Sequence, residues 1–245
     1  MGISYRPEGD NHAKKSQKER TPMNRYPPEY RPGLFPSGGS PPFRDNGWLQ
    51  LLVGAFVLYW AFMALWPVQR SLWIAENVLL VCLAAALVWT YRWFRFSNRS
   101  YLFIVLFLSL HTYAAHYSYE ANPLDAWLKA VFHFQRSYYD RIVHFAFGLF
   151  WIYPFAELYA RLTGRRGVWL FLVPLAAVLG LSALFEIVEM TAASWSGQGQ
   201  NSEQFLGMQG DLFDTQKDMM VALFGALIAL GLLVWSVWNR KKAGV

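Results

Sequence analysis

The stretch Gly207-Met-Gln-Gly-Asp-Leu-Phe-Asp-Thr-Gln-Lys-Asp218 opens directly into the uncharged apolar run Met219–Trp238. A run of that length is enough for a transmembrane helix. Asp211, Asp214 and Asp218 stand three and four residues apart, a spacing that places them on one face of a helix. Acidic side chains at the start of a membrane helix are energetically costly, and they are usually found where they bind a ligand or take part in a reaction. The sequence therefore indicates a functional site at this end of the helix.

The composition of the whole chain is typical of a polytopic membrane protein. Of its 245 residues, 55% are hydrophobic and only 16% are charged, and the apolar residues are concentrated in long runs. The net charge of +6 comes mostly from the N-terminal region and short loops, which fits membrane topology better than nucleic-acid binding. Cys82 is the only cysteine, which excludes an intramolecular disulfide and a cysteine-based metal cluster.

Six apolar segments predict an all-α polytopic fold with about six transmembrane helices. The segments are Trp48–Trp66, Leu72–Tyr91, Tyr101–Tyr117, Ile142–Tyr159, Val168–Glu189 and Met219–Trp238. Residues 1–45 are rich in proline and basic residues and predict a disordered, cationic cytoplasmic tail. Residues 46–240 are assigned to the transmembrane domain, and residues 241–245 to a short basic cytoplasmic end. In the last segment, small residues predict close helix packing: Ala222, Gly225, Ala226 and Ala229.

Lysine and arginine are more frequent in the tail, at the C-terminus and in the loops after the second and fourth segments than in the other three loops. By the positive-inside rule, both termini are cytoplasmic. The unusual polar residues then gather toward the exterior or periplasm, including Glu76 near the start of the second segment, whereas Glu157 lies toward the cytoplasm. We therefore expect a polar pocket that opens outward.

Three groups of residues at helical spacing carry candidate chemistry. Asp140 and His144 are four apart, which suits acid–base catalysis or metal binding, or else a helix start with a packed histidine. Glu186 and Glu189 are three apart and repel each other unless a proton or cation is shared, which suits a metal site, an acid–base pair or a proton relay. Alternatively, one of these glutamates lies at the interface and the other pairs with Arg141.

The aspartates of the opening stretch form the third group. Their oxygens suit Mg²⁺ or Ca²⁺, and a nearby histidine favours Mn²⁺ or Zn²⁺; the alternative is a solvated helix start. His111 fits a functional role and a hydrogen-bonded packing role equally well, and His133 is expected at the surface.

We expect the catalytic residues to be Asp140, His144, Glu186, Glu189 and Asp218. The expected substrate contacts are Arg141, Gln209, Gln216, His116 and Glu120. The expected metal ligands are Asp211, Asp214, Asp218 and His144.

Four motifs together resemble the YjdF-like family of bacterial inner-membrane proteins. They are His116-Tyr-Ser-Tyr-Glu, Tyr139-Asp-Arg-Ile-Val-His-Phe, Phe185-Glu-Ile-Val-Glu and Gly207-Met-Gln-Gly-Asp-Leu-Phe-Asp-Thr-Gln-Lys-Asp-Met. The resemblance covers most of residues 48–238 and implies location in the bacterial inner membrane. It brings no established biochemical activity with it.

A second resemblance is to VanZ-like membrane proteins, which are linked to glycopeptide-antibiotic resistance. Asp140-Arg-Ile-Val-His144-Phe, a glutamate at Glu186 or Glu189, and Asp218-Met-Met-Val-Ala222-Leu-Phe-Gly225 follow the order of the motifs in that family. Arg141 stands where that family has lysine, and Ala222 where it has asparagine. The departure at Ala222 removes any hydrogen bond that the asparagine would supply.

These observations leave three functions open. The first is a membrane enzyme in which a metal assists chemistry on a lipid-linked or envelope phosphate. The second is a non-enzymatic envelope factor that binds a lipid, a peptidoglycan precursor or a protein in the same pocket. The third, an ion- or proton-coupled transporter, is the least favoured because the acidic residues lie on one side. The expected partner is the lipid bilayer and not nucleic acid, and the sequence leaves the oligomeric state open.

Overall fold

The computed structural model describes residues 35, 38–119, 122–133, 136–165, 167–195 and 212–242. Across these ranges the chain is helical and contains no strand, which confirms the predicted all-α class. A short 3₁₀ helix, Phe43–Asp45, precedes the α-helices. The α-helices are α1 (Gly47–Met63), α2 (Arg70–Thr90), α3 (Asn98–Tyr117), α4 (Pro123–Phe132), α5 (Tyr139–Thr163), α6 (Trp169–Trp195) and α7 (Asp214–Lys242).

Helices form at all six predicted segments, but the expected number of membrane spans needs correction. Length and hydropathy qualify four stretches as spans: Arg70–Thr90, Tyr139–Thr163, Trp169–Thr191 and Asp214–Asn239. Helix α1 is apolar but has only 17 residues. Helix α3 is long enough at 20 residues, but it carries many polar residues, among them Asn98, Arg99 and two histidines. The structure thus supports about four spans rather than six.

Helix α5 lies at the centre of the bundle and packs against α3, α6 and α7. Its buried residues include Ile152 and Ala156, both of which are fully inaccessible. Helices α5 and α6 continue through Pro154 and Pro174 without a break in helical structure. The core therefore surrounds α5, and the polar residues of α5 are held by helices on several sides.

Helices α5 and α7 approach each other so closely that glycine is needed on both. A Cβ atom at Gly148 would lie 1.9 Å from the carbonyl oxygen of Ala222, and one at Gly225 would lie 2.2 Å from that of Phe145. The close packing expected from the small residues of α7 is thus observed at Ala222 and Gly225. Small residues at such crossings are typical of membrane helix pairs, where they let the backbones meet.

The region before α1 contacts the bundle. Phe35 is 3% exposed and its ring lies edge-on to Tyr153, and the amide of Ser40 donates to the carbonyl oxygen of Phe96 at 3.0 Å. Residues 1–34, which form most of the predicted tail, lie outside the described residues. At the other end α7 continues as far as Lys242.

Candidate functional site: a buried acid–histidine cluster

The candidate site lies where α5 and α7 begin. The two helices run in the same direction, because Gly148 faces Ala222 and Arg141 contacts Asp214. One turn before that glycine crossing, α5 carries His144 and α7 carries Asp218. The close approach of the two backbones therefore brings these side chains to one level, and both are buried.

His144 is held between acidic groups from two helices. Its Nε2 atom lies 3.2 Å from Glu186 Oε1 on α6 and 3.7 Å from Asp140 Oδ1 one turn earlier on α5. Its Nδ1 atom lies 3.4 Å from Ser182 Oγ. The imidazole is 5% exposed. We call Asp140, His144, Glu186 and Asp218 the acid–histidine cluster.

Asp214, one turn before Asp218 on α7, adjoins the cluster and is paired with two arginines. Arg141 Nη2 donates to Asp214 Oδ1 at 2.8 Å, and Arg136 Nη2 donates to the same oxygen atom. Arg141 Nε also lies 3.6 Å from Asp218 Oδ1. Two guanidinium groups thus offset the charges of Asp214 and Asp218 and place positive charge next to the cluster.

Several polar atoms of the cluster are buried without a hydrogen bond to the described residues. They are Asp140 Oδ1, His144 Nε2, Glu186 Oε1 and Asp218 Oδ1. A buried polar atom left unsatisfied costs about 1–3 kcal/mol, and such atoms are rare in folded proteins. Glu186 Oε1 and Asp140 Oδ1 face His144 Nε2 at 3.2 and 3.7 Å, and Asp218 Oδ1 faces Arg141 Nε at 3.6 Å, so charge attraction rather than well-formed hydrogen bonds holds these atoms together.

A second polar group adjoins the cluster. His111 Nε2 lies 3.1 Å from the carbonyl oxygen of Glu76, so it donates there, and Nδ1 accepts from Tyr119 Oη at 2.9 Å in the neutral ring. Burial raises the pKa of the Tyr119 hydroxyl, and the charges of Glu76, Asp140 and Glu189 raise it further. Tyr119 therefore remains a neutral donor and lies within electrostatic range of Asp140 and Glu189.

Several predicted site residues lie away from the cluster. His116 Nδ1 bonds with the carbonyl oxygen of Met63, which gives this histidine a structural contact at the end of α1. Gln216 is exposed, and so is His133, as expected. Glu189, by contrast, adjoins the cluster: it is half-buried and lies within electrostatic range of Asp140, Glu186 and Tyr119. Glu120, Gln209 and Asp211 lie outside the described residues.

The sequence interpretation missed three contacts of the cluster. Ser182 lies one turn before Glu186 on the same face of α6, so helical spacing alone would have found it. Arg136 lies in a loop before α5, where no helical spacing predicts a partner, and it reaches Asp214 through the tertiary fold. Thr215, in the first turn of α7, lies beside the side chain of Glu186 because α6 and α7 pack together.

The metal ligands expected from the sequence are only partly brought together. His144 and Asp218 are neighbours, but Asp214 is bound to two arginines and Asp211 lies outside the described ranges. Among the residues whose structure is described, no three His, Cys, Asp or Glu side chains are arranged to hold a metal ion.

Comparison with known proteins agrees with the membrane fold. Residues 48–240 match the family model described as Predicted membrane protein (DUF2238). The inner membrane protein YjdF of Escherichia coli (strain K12) is 34% identical over 162 residues, which are 65% of this chain and 76% of that protein. No solved structure gives a significant match.

Proposed function

Since this chain belongs to the YjdF-like (DUF2238) family and is a multi-pass inner-membrane protein, we propose that its acid–histidine cluster is an enzyme active site. The substrate class is a lipid-linked or envelope phosphate ester. The observation that supports this is the buried His144 between Glu186 and Asp140, with cluster atoms that lack hydrogen bonds. A histidine flanked by carboxylates is a common arrangement for general acid–base catalysis.

In this proposal each group has a stated role. His144 removes a proton from water, whose oxygen attacks phosphorus, and the carboxylates of Glu186 and Asp140 stabilise the imidazolium that forms. The bond from phosphorus to the alcohol oxygen breaks, and the alcohol takes up the proton that His144 holds. Arg141 and Arg136 favour binding of the negatively charged phosphoryl group.

In a more specific form of the same proposal, a metal ion bound at the acid–histidine cluster assists the reaction. Asp218 and His144, which are neighbours, would supply an oxygen and a nitrogen ligand for Mg²⁺, Mn²⁺ or Zn²⁺, and Asp211 is the further ligand that the sequence predicts. Such a metal would polarise the phosphoryl group or activate water. Elemental analysis of protein purified without chelators tests this version separately from acid–base catalysis.

The direct test is hydrolysis of a polyprenyl phosphate ester and of para-nitrophenyl phosphate by the full-length protein in lipid nanodiscs. His144→Gln is expected to lower kcat by about 10²–10⁴-fold, the usual contribution of a general acid–base group. His133→Asn is the matched control, because His133 is exposed and has a positive φ that asparagine tolerates. Equal turnover by wild type and His144→Gln, or no phosphate release by either, would overturn the proposal.

The second candidate is a non-enzymatic envelope binding or resistance factor, favoured by the VanZ-like order of Asp140, His144, Glu186 and Asp218. It predicts a graded loss of binding, without turnover, as single carboxylates are replaced. Transport has less support, because Trp151, Ile152 and Ala156 form an apolar layer on α5 between this cluster and Glu157. A relay that carries protons or ions across the membrane would need polar groups within that apolar layer.

A further inference from the structure

Helix α4 has an apolar face that is turned away from the bundle. Leu124, Trp127 and Val131 follow one another at helical spacings of three and four residues. Their side chains are 38%, 56% and 49% exposed. We call these three residues the α4 stripe.

The other face of α4 is fixed to the protein. Asp125 is 1% exposed and pairs with Lys129 Nζ at 2.8 Å. Asp125 Oδ1 also accepts from the Tyr138 amide at 2.9 Å, one residue before α5 begins. Asn122 caps the start of α4 by accepting from the Asp125 amide at 2.8 Å. The bond to the Tyr138 amide ties α4 to the residue before α5, and the bonds to Lys129 and Asn122 stabilise α4 itself.

The anchor also sets the level of α4 in the membrane. Since α5 is a membrane span, its first residue, Tyr139, lies near a membrane boundary, and Asp125 ties α4 to that point. A helix of 10 residues is about 15 Å long, half the thickness of the hydrocarbon core, so α4 does not cross it. Helix α4 therefore lies at the boundary between lipid and water.

We propose that α4 is an interfacial helix whose α4 stripe is buried in the leaflet of the bilayer at which α5 begins. A tryptophan between aliphatic residues on one face of a short, anchored helix suits the boundary between headgroups and acyl chains. The face of so short a helix is also smaller than the roughly 800 Å² that each partner buries in a stable protein interface. The occupant is therefore lipid rather than another protein.

One consequence concerns the ligand, and it rests on the proposed function. His144 is six residues beyond Tyr138, or about 9 Å along α5 from the anchor of α4. With the α4 stripe at the boundary, Arg141 and His144 lie about 4.5 and 9 Å inward of the anchor, so a phosphate must enter below the level of the lipid headgroups to reach His144. This placement favours a lipid-linked phosphate over a free one.

Spin labelling tests the position of the α4 stripe without measuring activity. In a Cys82→Ala background, nitroxide labels are placed at Leu124→Cys, Trp127→Cys and Val131→Cys of the full-length protein. The protein is reconstituted in vesicles of phosphatidylethanolamine and phosphatidylglycerol. Collisions with oxygen and with a water-soluble nickel chelate then report lipid and water around each label.

Two further positions in the chain serve as references for the collision measurements, one in lipid and one in water. Cys82 of the wild type is exposed on the span α2 and gives the value for lipid, and Arg165→Cys, at an exposed loop position, gives the value for water. We expect all three α4 labels to favour oxygen over nickel, with a depth between the two references. Nickel collisions equal to those at Arg165→Cys would place the stripe in water and overturn the proposal. Low collisions with both reagents would show a protein contact and also overturn it, whatever the outcome of the phosphatase assay.

Discussion

At the scale of residues, two buried glutamates differ in how well their carboxylates are satisfied. Glu157 is 0% exposed and accepts from the Ser97 amide at 2.8 Å, from Ser97 Oγ at 2.7 Å and from Ser100 Oγ. Arg161 Nη1 pairs with it at 2.9 Å. Glu186 is also buried, yet its Oε1 atom lacks a hydrogen bond to the described residues. The first carboxylate therefore joins α5 to the start of α3, whereas the second faces His144 Nε2 at 3.2 Å with an oxygen atom that is not fully satisfied.

The same substitution, glutamate to glutamine, is expected to destabilise the protein at Glu157 but not at Glu186. Glu157→Gln leaves the buried Arg161 without its counter-charge and is expected to lower the free energy of unfolding by about 3 kcal/mol. Glu186→Gln removes a carboxylate from a cluster with excess negative charge, so it is expected to be neutral or stabilising. Thermal unfolding in detergent measures both variants. A loss of stability in Glu186→Gln as large as that in Glu157→Gln would contradict the inference that the acid–histidine cluster carries excess negative charge.

At the scale of elements, the contact of α5 with α7 positions the site. Gly148 and Gly225 allow the two backbones to meet, and the register of that crossing places His144 beside Asp218. Interdigitated helices at such short separation have no room for an added methyl group. The spacing of the helices therefore determines the distances within the acid–histidine cluster.

Two glycines on α7 provide a matched test of this contact. Gly225→Ala would bring a Cβ within 2.2 Å of the Phe145 carbonyl oxygen, so we expect it to lower the free energy of unfolding by about 1–3 kcal/mol. Gly231→Ala meets no atom within 4 Å and is expected to stabilise α7 by up to about 1 kcal/mol, because alanine favours helix. Unfolding in detergent compares the two variants. Equal stability of both would show that the crossing is less tight than the structure indicates.

At the scale of the whole molecule, two polar clusters lie on either side of an apolar layer along α5. One contains His144 near the start of the helix, and the other contains Glu157 and Arg161 near its end. The distribution of lysine and arginine predicts that the first faces the exterior and the second faces the cytoplasm. For the proposed function, this orientation would determine whether the substrate comes from the envelope or from the cell interior.

Labelling of single cysteines in intact cells tests the orientation. In a Cys82→Ala background, a membrane-impermeant maleimide is expected to label His133→Cys before lysis and Arg165→Cys only after lysis. Both positions are exposed and lie at opposite ends of the bundle. The reverse pattern would place the acid–histidine cluster on the cytoplasmic side and would exclude an outer-leaflet substrate.

The sequence by itself determined the helical membrane fold, the position of its apolar segments and the acidic start of α7. Those features are local: continuous apolar runs specify membrane helices, and helical spacing shows which acids share a face. It overestimated the spans, since α3 is too polar and α1 too short to qualify.

Only the tertiary structure decided which polar residues meet. Asp214 is adjacent to Arg136 and Arg141 because three chain segments converge, and His116 is bound to the end of α1 instead of joining the cluster. The contact of Asp214 with Arg141 depends on the crossing of α5 and α7. The small residues of α7 permit that crossing but do not determine its register. A side-chain pattern within one helix carries no information about the register of its neighbour. Helical spacing therefore predicted Asp140 as a partner of His144, whereas packing decided its contacts with Glu186 and Ser182 on α6.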